Sequence, residues 1–200
     1  MEMRGGPRSR AELKVTVAVT GASGAPIARR LLEILRERGI EVHLILSRWG
    51  KEIAEVELEE GVSSLTSLAH VVYDNEDLTA PPSSGTFGFD GMIVVPCSAH
   101  TLAKVALGMA DDLISRVASV ALKEGRKLIL VVREAPLSLS MVENMLKAIS
   151  AGAVVLPAVL TFYYGPKRVE DLIDYVVLKV MDQLGLREDS PLRWRRRTPP

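Results

Sequence analysis

The chain has 200 residues, 48% of them hydrophobic and 25% charged, with 25 basic and 25 acidic side chains in formal balance. That is the composition of a soluble domain long enough to build a core, and it excludes both a disordered chain and a whole-surface charge for nucleic acid. The single cysteine, Cys97, excludes an intrachain disulfide and a cysteine-based zinc site, so no metal is expected and a reducing, cytoplasmic setting is the default.

In chain order, residues 1–12 read as a flexible N-terminal arm, followed by no apolar signal-peptide core. Residues 13–186 read as one α/β domain and 187–200 as a basic tail with a local charge of +3. Lys14 to Thr20 is a β-branched strand that stops at Gly21. Ala25 to Arg38 then places Ile27, Leu31, Ile34 and Leu35 on one helical face. Further strands are expected at Glu41–Leu46, Val71–Asp74, Met92–Val95, Lys127–Val132 and Ala153–Leu156. Helices are expected at Ser98–Gly108, Asp112–Glu124, Leu139–Ala151 and Arg168–Leu184. In the last, Val169, Leu172, Ile173, Val176, Val177 and Val180 keep helical spacing. Strands separated by helices require crossovers, which give a doubly wound parallel sheet covered on both faces, a Rossmann-like or flavodoxin-like sandwich. No stretch spans a membrane: the longest nearly apolar run, Ala151–Leu160, is about half the required length and contains Pro157.

Three strand ends carry polar groups where open parallel sheets bind ligands. Thr20-Gly21-Ala22-Ser23-Gly24-Ala25-Pro26 joins a strand to a helix, so glycines and the helix N-terminus can meet an anion. It matches neither the dinucleotide fingerprint nor a P-loop, and a plain tight turn is the competing reading. Pro96-Cys97-Ser98-Ala99-His100-Thr101 repeats the arrangement, with Ser98 and Thr101 spaced as an N-cap and its partner. Simple capping explains one hydroxyl; two such helix starts on neighbouring strands favour a shared phosphate or flavin site. Cys97 reads as packed rather than nucleophilic, and His100 as a surface or capping side chain. At a third end, Arg133 and Glu134 are either an exposed charge pair or an anion ligand beside a proton-transfer group. On spacing alone, Arg116, Lys123 and Glu57 are solvated charges.

These segments together resemble the flavin prenyltransferase family, long described as aromatic-acid decarboxylase subunits. The matching pieces are TGASGA at 20–25, PPSSGT at 81–86, PCSAHTLAKVALGMADDLISR at 96–116 and VALKEGRKLILVVREAPLS at 120–138. They continue with ENM at 143–145, GAVVLPA at 152–158, FYYGP at 162–166 and VMDQLG at 180–185. The resemblance implies reduced FMN as co-substrate, dimethylallyl phosphate as donor, and prenylated FMN as product for a partner decarboxylase. It implies FMN contacts from Gly21, Ala22, Ser23, Ser47, Ser98, Ala99, His100, Thr101 and Arg133, with the FMN phosphate at the Ser23 loop. Ser84, Arg116, Lys123, Tyr163 and Lys179 are implied around the prenyl phosphate, and Glu134, Glu57, Tyr163 and Lys123 as catalytic groups. Glu57 and Arg116, lacking obvious local partners, are implied at a site shared between subunits of a homo-oligomer, in this family a dodecamer.

The sequence departs from the family pattern at Lys179, where arginine is usual; lysine keeps the charge but lacks the planar fork. Leu78 stands where tryptophan is frequent, Met141 replaces a histidine, Ser119 an aspartate and His100 a glycine. A flavin-dependent cysteine decarboxylase is the nearest alternative, but its Pro-x-Met-Asn segment is absent. A non-catalytic flavin-binding module would not need Glu134, Tyr163 and Lys123 together. Nucleic-acid binding through Arg193-Trp194-Arg195-Arg196-Arg197 is not expected, because one tryptophan is no stacking platform.

Overall fold

The computed structural model describes residues 13–194; the expected arm at 1–12 and the last six residues of the tail lie outside them. Six strands form one sheet: β1 Lys14–Val19, β2 Glu41–Leu46, β3 Val71–Asp74, β4 Gly91–Cys97, β5 Lys127–Val132 and β6 Val154–Val155. Every pairing is parallel and the spatial order is β3-β2-β1-β4-β5-β6. The chain winds outward from β1 to β3, then returns to place β4 on β1's other side. The order therefore reverses between β1 and β4, and a crevice opens beyond their carboxyl ends.

Seven helices cover the sheet: α1 Ala25–Glu37, α2 Arg48–Glu57, α3 Ser63–Thr66, α4 Ala99–Ala106, α5 Leu113–Lys123, α6 Leu139–Ser150 and α7 Val169–Gln183. Val15, Val17 and Val19 of β1 pack with Leu31, Leu32 and Leu35 of α1 and Val177 and Val180 of α7 in one core. On the opposite face, Ala18, Met92 and Val94 pack with Leu102, Leu113, Val117 and Val120 from α4 and α5. Burial on both faces makes the inner strands continuous apolar runs rather than alternating ones.

Several boundaries differ from the sequence reading. Helix α2 was not expected; only Gly50 and Ala54 of it are buried, and it starts directly at the end of β2 with Ser47 as its cap. Strand β4 runs through Pro96 to Cys97, with a register shift after Val94 that gives the proline a place without a ladder donor. The core face of α7 is Val176, Val177, Val180 and Met181, whereas Val169 is exposed because the helix begins beyond the sheet. Among the described residues, no helix is long and apolar enough to cross a membrane.

Candidate active site

The crevice is assembled by backbone locks at the two central strand ends. The Thr20 hydroxyl donates to the Pro96 carbonyl at 2.7 Å and accepts the Ser98 N–H at 2.9 Å. One fully buried side chain thus sets the separation of the β1–α1 and β4–α4 turns. The start of α2 closes in from the β2 side, where the Ser47 N–H donates to Val19 O at 3.1 Å and the Ser47 hydroxyl caps Gly50 N at 2.9 Å. A Cβ on Gly21 would lie 2.5 Å from the Trp49 Cβ, so this position tolerates no side chain. Glycine is needed here for close packing, which is a different demand from a positive φ.

On the other wall, Ser98 caps α4 by accepting Thr101 N at 3.2 Å, and its hydroxyl also pairs with the Thr101 hydroxyl at 3.1 Å. Ala99 and His100, in the first helical turn where N–H groups lack intrahelical partners, line the same space. The floor is the start of α5, where Asp112 and Ser115 form a reciprocal cap and Asn75 Oδ1 accepts Ile114 N at 3.0 Å. Lys104 lies 2.7 Å from Asp112, and its contacts outweigh burial to hold that carboxyl below its usual range. The resulting cleft encloses about 520 Å³, within the span of cofactor pockets. Hydroxyls of Ser47, Ser98 and Thr101, free helix-start N–H groups and the Gly21 close approach together suit the phosphate and ribityl parts of FMN.

Of the expected flavin contacts, Gly21, Ser47, Ser98, Ala99, His100 and Thr101 line this cleft, and so does Glu134. Glu134 is exposed, with one carboxylate oxygen accepting its neighbour Ala135 N at 3.2 Å. Buried Ala22 and exposed Ser23 follow Gly21, and Arg133 reaches the turn by donating Nε–H to the Ser23 carbonyl at 3.2 Å. Beside the Ser23 turn, where the FMN phosphate is expected, Glu57 reaches the N-terminus of α1. Its Oε2 accepts both Gly24 N and Ala25 N at 2.8 Å, so this positive helix end already holds an anion from α2. Glu57 and Arg116 find partners far away in sequence: those of Glu57 are 33 and 32 residues distant, and Arg116 Nε donates to Ser83 O, 33 residues away, at 3.0 Å.

The expected prenyl-phosphate groups do not join the cleft in one subunit. Ser84, Arg116 and Lys123 gather around the 81–87 turns on the outer side of α5, where the Lys123 ammonium lies 3.1 Å from Glu124. Lys179 lines a separate groove of about 280 Å³ with Tyr175, Leu156 and Pro157. Tyr163 donates its hydroxyl to Tyr175 at 3.1 Å. That bond pushes the Tyr163 hydroxyl up to about 12, so it stays a neutral donor. A further cleft of about 440 Å³ beside Glu57 is filled with matched charges, including Arg30–Asp174 at 2.6 Å and Arg29–Glu33 at 3.0 Å.

Sequence reasoning missed Thr20 as the lock and Trp49, Asn75 and Asp112 as cleft walls. A hydroxyl ending an apolar strand was the available signal for Thr20; nothing local marked the other three. Cys97 is fully buried behind the cleft, and burial pushes its thiol up to about 12, which fits a packed rather than a nucleophilic group.

Comparison with known proteins matches this arrangement. The Flavoprotein family profile covers residues 4–180. The flavin prenyltransferase UbiX of Deinococcus radiodurans is 46% identical over 91% of this chain and 93% of its own. A dodecameric FMN-dependent UbiX-like decarboxylase from Escherichia coli O157:H7 superposes with a TM-score of 0.88 at 44% identity, covering 92% of this chain and 100% of that one. AnUbiX (PadA1), solved with FMN and dimethylallyl pyrophosphate, gives 0.86 at 44% identity over 92% of this chain and 97% of its own. The FMN-dependent cysteine decarboxylase TvaF, at 17% identity and a TM-score of 0.62, shares the fold alone. With close relatives aligned over nearly its whole length and the flavin turns in one cleft, the chain belongs to the flavin prenyltransferase family.

Proposed function

We propose that this protein joins the dimethylallyl group of dimethylallyl phosphate to N5 and C6 of reduced FMN and releases phosphate. The observation that carries this reading is the convergence of Gly21, Ser47, Ser98, Thr101 and Glu134 on one cleft at the strand-order reversal. Reduced FMN supplies the nucleophilic N5 and C6. The chain supplies position and charge. Ser47, Ser98, Thr101 and the first turn of α4 hold the FMN phosphate, while Arg133 fixes the Ser23 turn against the ring.

Breaking the allylic carbon–oxygen bond builds charge on the leaving phosphate. Lys179 and the neutral Tyr163 hydroxyl stabilise it from one side, with Ser84, Arg116 and Lys123 on another, as preset donors and cations. Ring closure adds a proton to the central carbon of the allyl alkene, bonds the dimethyl carbon to C6 and releases the C6 proton; Glu134 or the released phosphate gives the first proton and takes back the second. Glu57 anchors the α1 turn and keeps a carboxylate beside Ser23.

Three groups of site residues on separate surfaces need neighbouring copies to meet. Support for a homo-oligomer comes from α6, where Leu139, Val142, Leu146 and Ile149 form an exposed apolar stripe. The dodecamer of the Escherichia coli relative is the assembly we adopt. A prenylated-FMN-dependent decarboxylase receives the product, and the cytoplasm suits a chain with one buried thiol. The test is mass spectrometry of the flavin after anaerobic incubation with reduced FMN and dimethylallyl phosphate, with the diphosphate in parallel. Flavin carrying the added five-carbon unit is expected; unchanged FMN with both donors refutes the reading.

A further inference from the structure

The arginine-rich tail, set aside by sequence as solvated, is partly docked on α7. Arg193 grips Asp182 with two parallel bonds, Nη1 to Oδ2 at 2.8 Å and Nη2 to Oδ1 at 2.6 Å, and both side chains are largely shielded, at 18% and 14% exposure. Its Nε donates to Glu188 O at 2.7 Å, so every guanidinium nitrogen is engaged. Arg38 of the loop after α1 holds the same segment, donating to Glu188 Oε2 at 2.9 Å and to Leu186 O at 3.4 Å. A planar, bidentate pair of this kind fixes direction as well as distance.

What it directs is the next residue. Trp194 meets Tyr163 edge-to-face at 5.3 Å between ring centroids, and Tyr163 in turn meets Tyr175 and Tyr164 edge-to-face at 5.9 and 5.8 Å. Tyr175, Lys179 and Asp182 fall at i, i+4 and i+7 on α7 and therefore share one helical face. The Arg193–Asp182 clamp stands at one end of that face and the aromatic cluster at the other, with Lys179 between. The Tyr163 ring meets Tyr175, Tyr164 and Trp194, while the following loop is tied to α7 by Tyr164 Oη to Asp171 O at 2.9 Å and Lys167 N to Asp171 Oδ2 at 2.8 Å.

We propose that residues 187–194 form a strap that the Arg193–Asp182 pair pins across α7, and that Arg193 is a positioning residue which, through Trp194, holds Tyr163 beside Lys179 for the prenyl phosphate. The inference rests on the proposed function for the role of Tyr163 and Lys179. Arg193 acts through the strap rather than on the donor: three of its five N–H groups are spent on Asp182 and Glu188 O. The strap closes the Tyr163 ring in from the side opposite α7 and makes it a wall of the donor site.

The chain has two tryptophans, Trp49 and Trp194, so Trp49→Phe leaves Trp194 as the reporter. Trp194 fluorescence anisotropy is followed in that background, and FMN titration and donor kinetics in the parent background; in both, Arg193→Ala is compared with Arg193→Lys and with Asp182→Asn. Arg193→Ala is expected to lower Trp194 anisotropy, because the exposed ring loses its anchor, and to raise donor KM by about tenfold, the scale of a displaced positioning group, with FMN affinity unchanged. Asp182→Asn should reproduce both changes and Arg193→Lys should recover part of each, since it restores charge without the fork. Unchanged anisotropy in Arg193→Ala and Asp182→Asn overturns the strap, and lowered anisotropy with a parental donor KM overturns its positioning role. Equal losses of FMN and donor binding also overturn it, because the pair would then be supporting the fold at large. A parent protein that prenylates nothing refutes the proposed function, and this inference with it; an active parent isolates the strap.

Discussion

Replacing Thr20 with valine keeps the shape of a buried side chain and removes the hydroxyl that ties the two central turns together. Two hydrogen bonds vanish, the one given to Pro96 O and the one taken from Ser98 N. Pro96 O keeps the Thr20 backbone N–H at 3.3 Å, so the group left without a partner is Ser98 N–H. Two lost bonds and one orphaned donor cost about 2–4 kcal/mol. For a domain of this size that lowers the melting temperature by roughly 4–16 °C. Because Ser98 is the cap that shapes the α4 start, FMN affinity should fall together with stability. The same strand holds an internal control. Thr16 lies four residues earlier, and its hydroxyl is buried without any hydrogen-bond partner among the described residues. Thr16→Val removes a desolvated, unpaired group and should be neutral or stabilising by about 1–3 kcal/mol. Thermal denaturation at fixed protein concentration and FMN titration of both variants decide the matter. If Thr20→Val melts within 2 °C of the parent, about the shift of half a kcal/mol, and binds FMN normally, the lock is not what holds the crevice.

Glu134→Gln should retain FMN and slow formation of prenylated FMN by about a hundredfold or more, the usual scale for a proton-transfer group; parental rates in a stopped-flow assay would leave phosphate as the base. His43, buried between Tyr73 and Glu41, has its pKa lowered chiefly by desolvation. As pH falls below about 6.5 the unfolded chain takes up that proton first, so stability present above this pH is lost toward the folded value. The melting temperature should drop from pH 7 to pH 5, and less steeply in His43→Gln; an equal drop in both would assign the acid sensitivity elsewhere. Cys97, with its thiol pushed up to about 12, should resist iodoacetamide at pH 8 in the folded protein and react fully in denaturant; rapid labelling of the native state would contradict its packing.

The sequence by itself determined the alternation of strands and helices, because both faces of a parallel sheet must be covered and the apolar runs of β1, β2, β4 and β5 are legible as such. It also determined the glycine and hydroxyl chemistry of the strand ends, since TGASGA and PCSAHT place local groups on local turns. Cys97 was readable as packed from its apolar neighbours alone. Only the tertiary structure decided where those turns stand relative to one another. The hydrogen bonds from Thr20 to Pro96 and Ser98 span 76 and 78 residues, a separation that no local pattern encodes. Glu57 looked like a solvated charge because its partners, Gly24 N and Ala25 N, lie 33 and 32 residues away. The tail looked solvated because arginines read as charge until Asp182 fills the fork of Arg193. Periodicity reports which face of an element is apolar; which polar groups meet across the fold is fixed by strand order and crossover path, and those exist only once the sheet has formed.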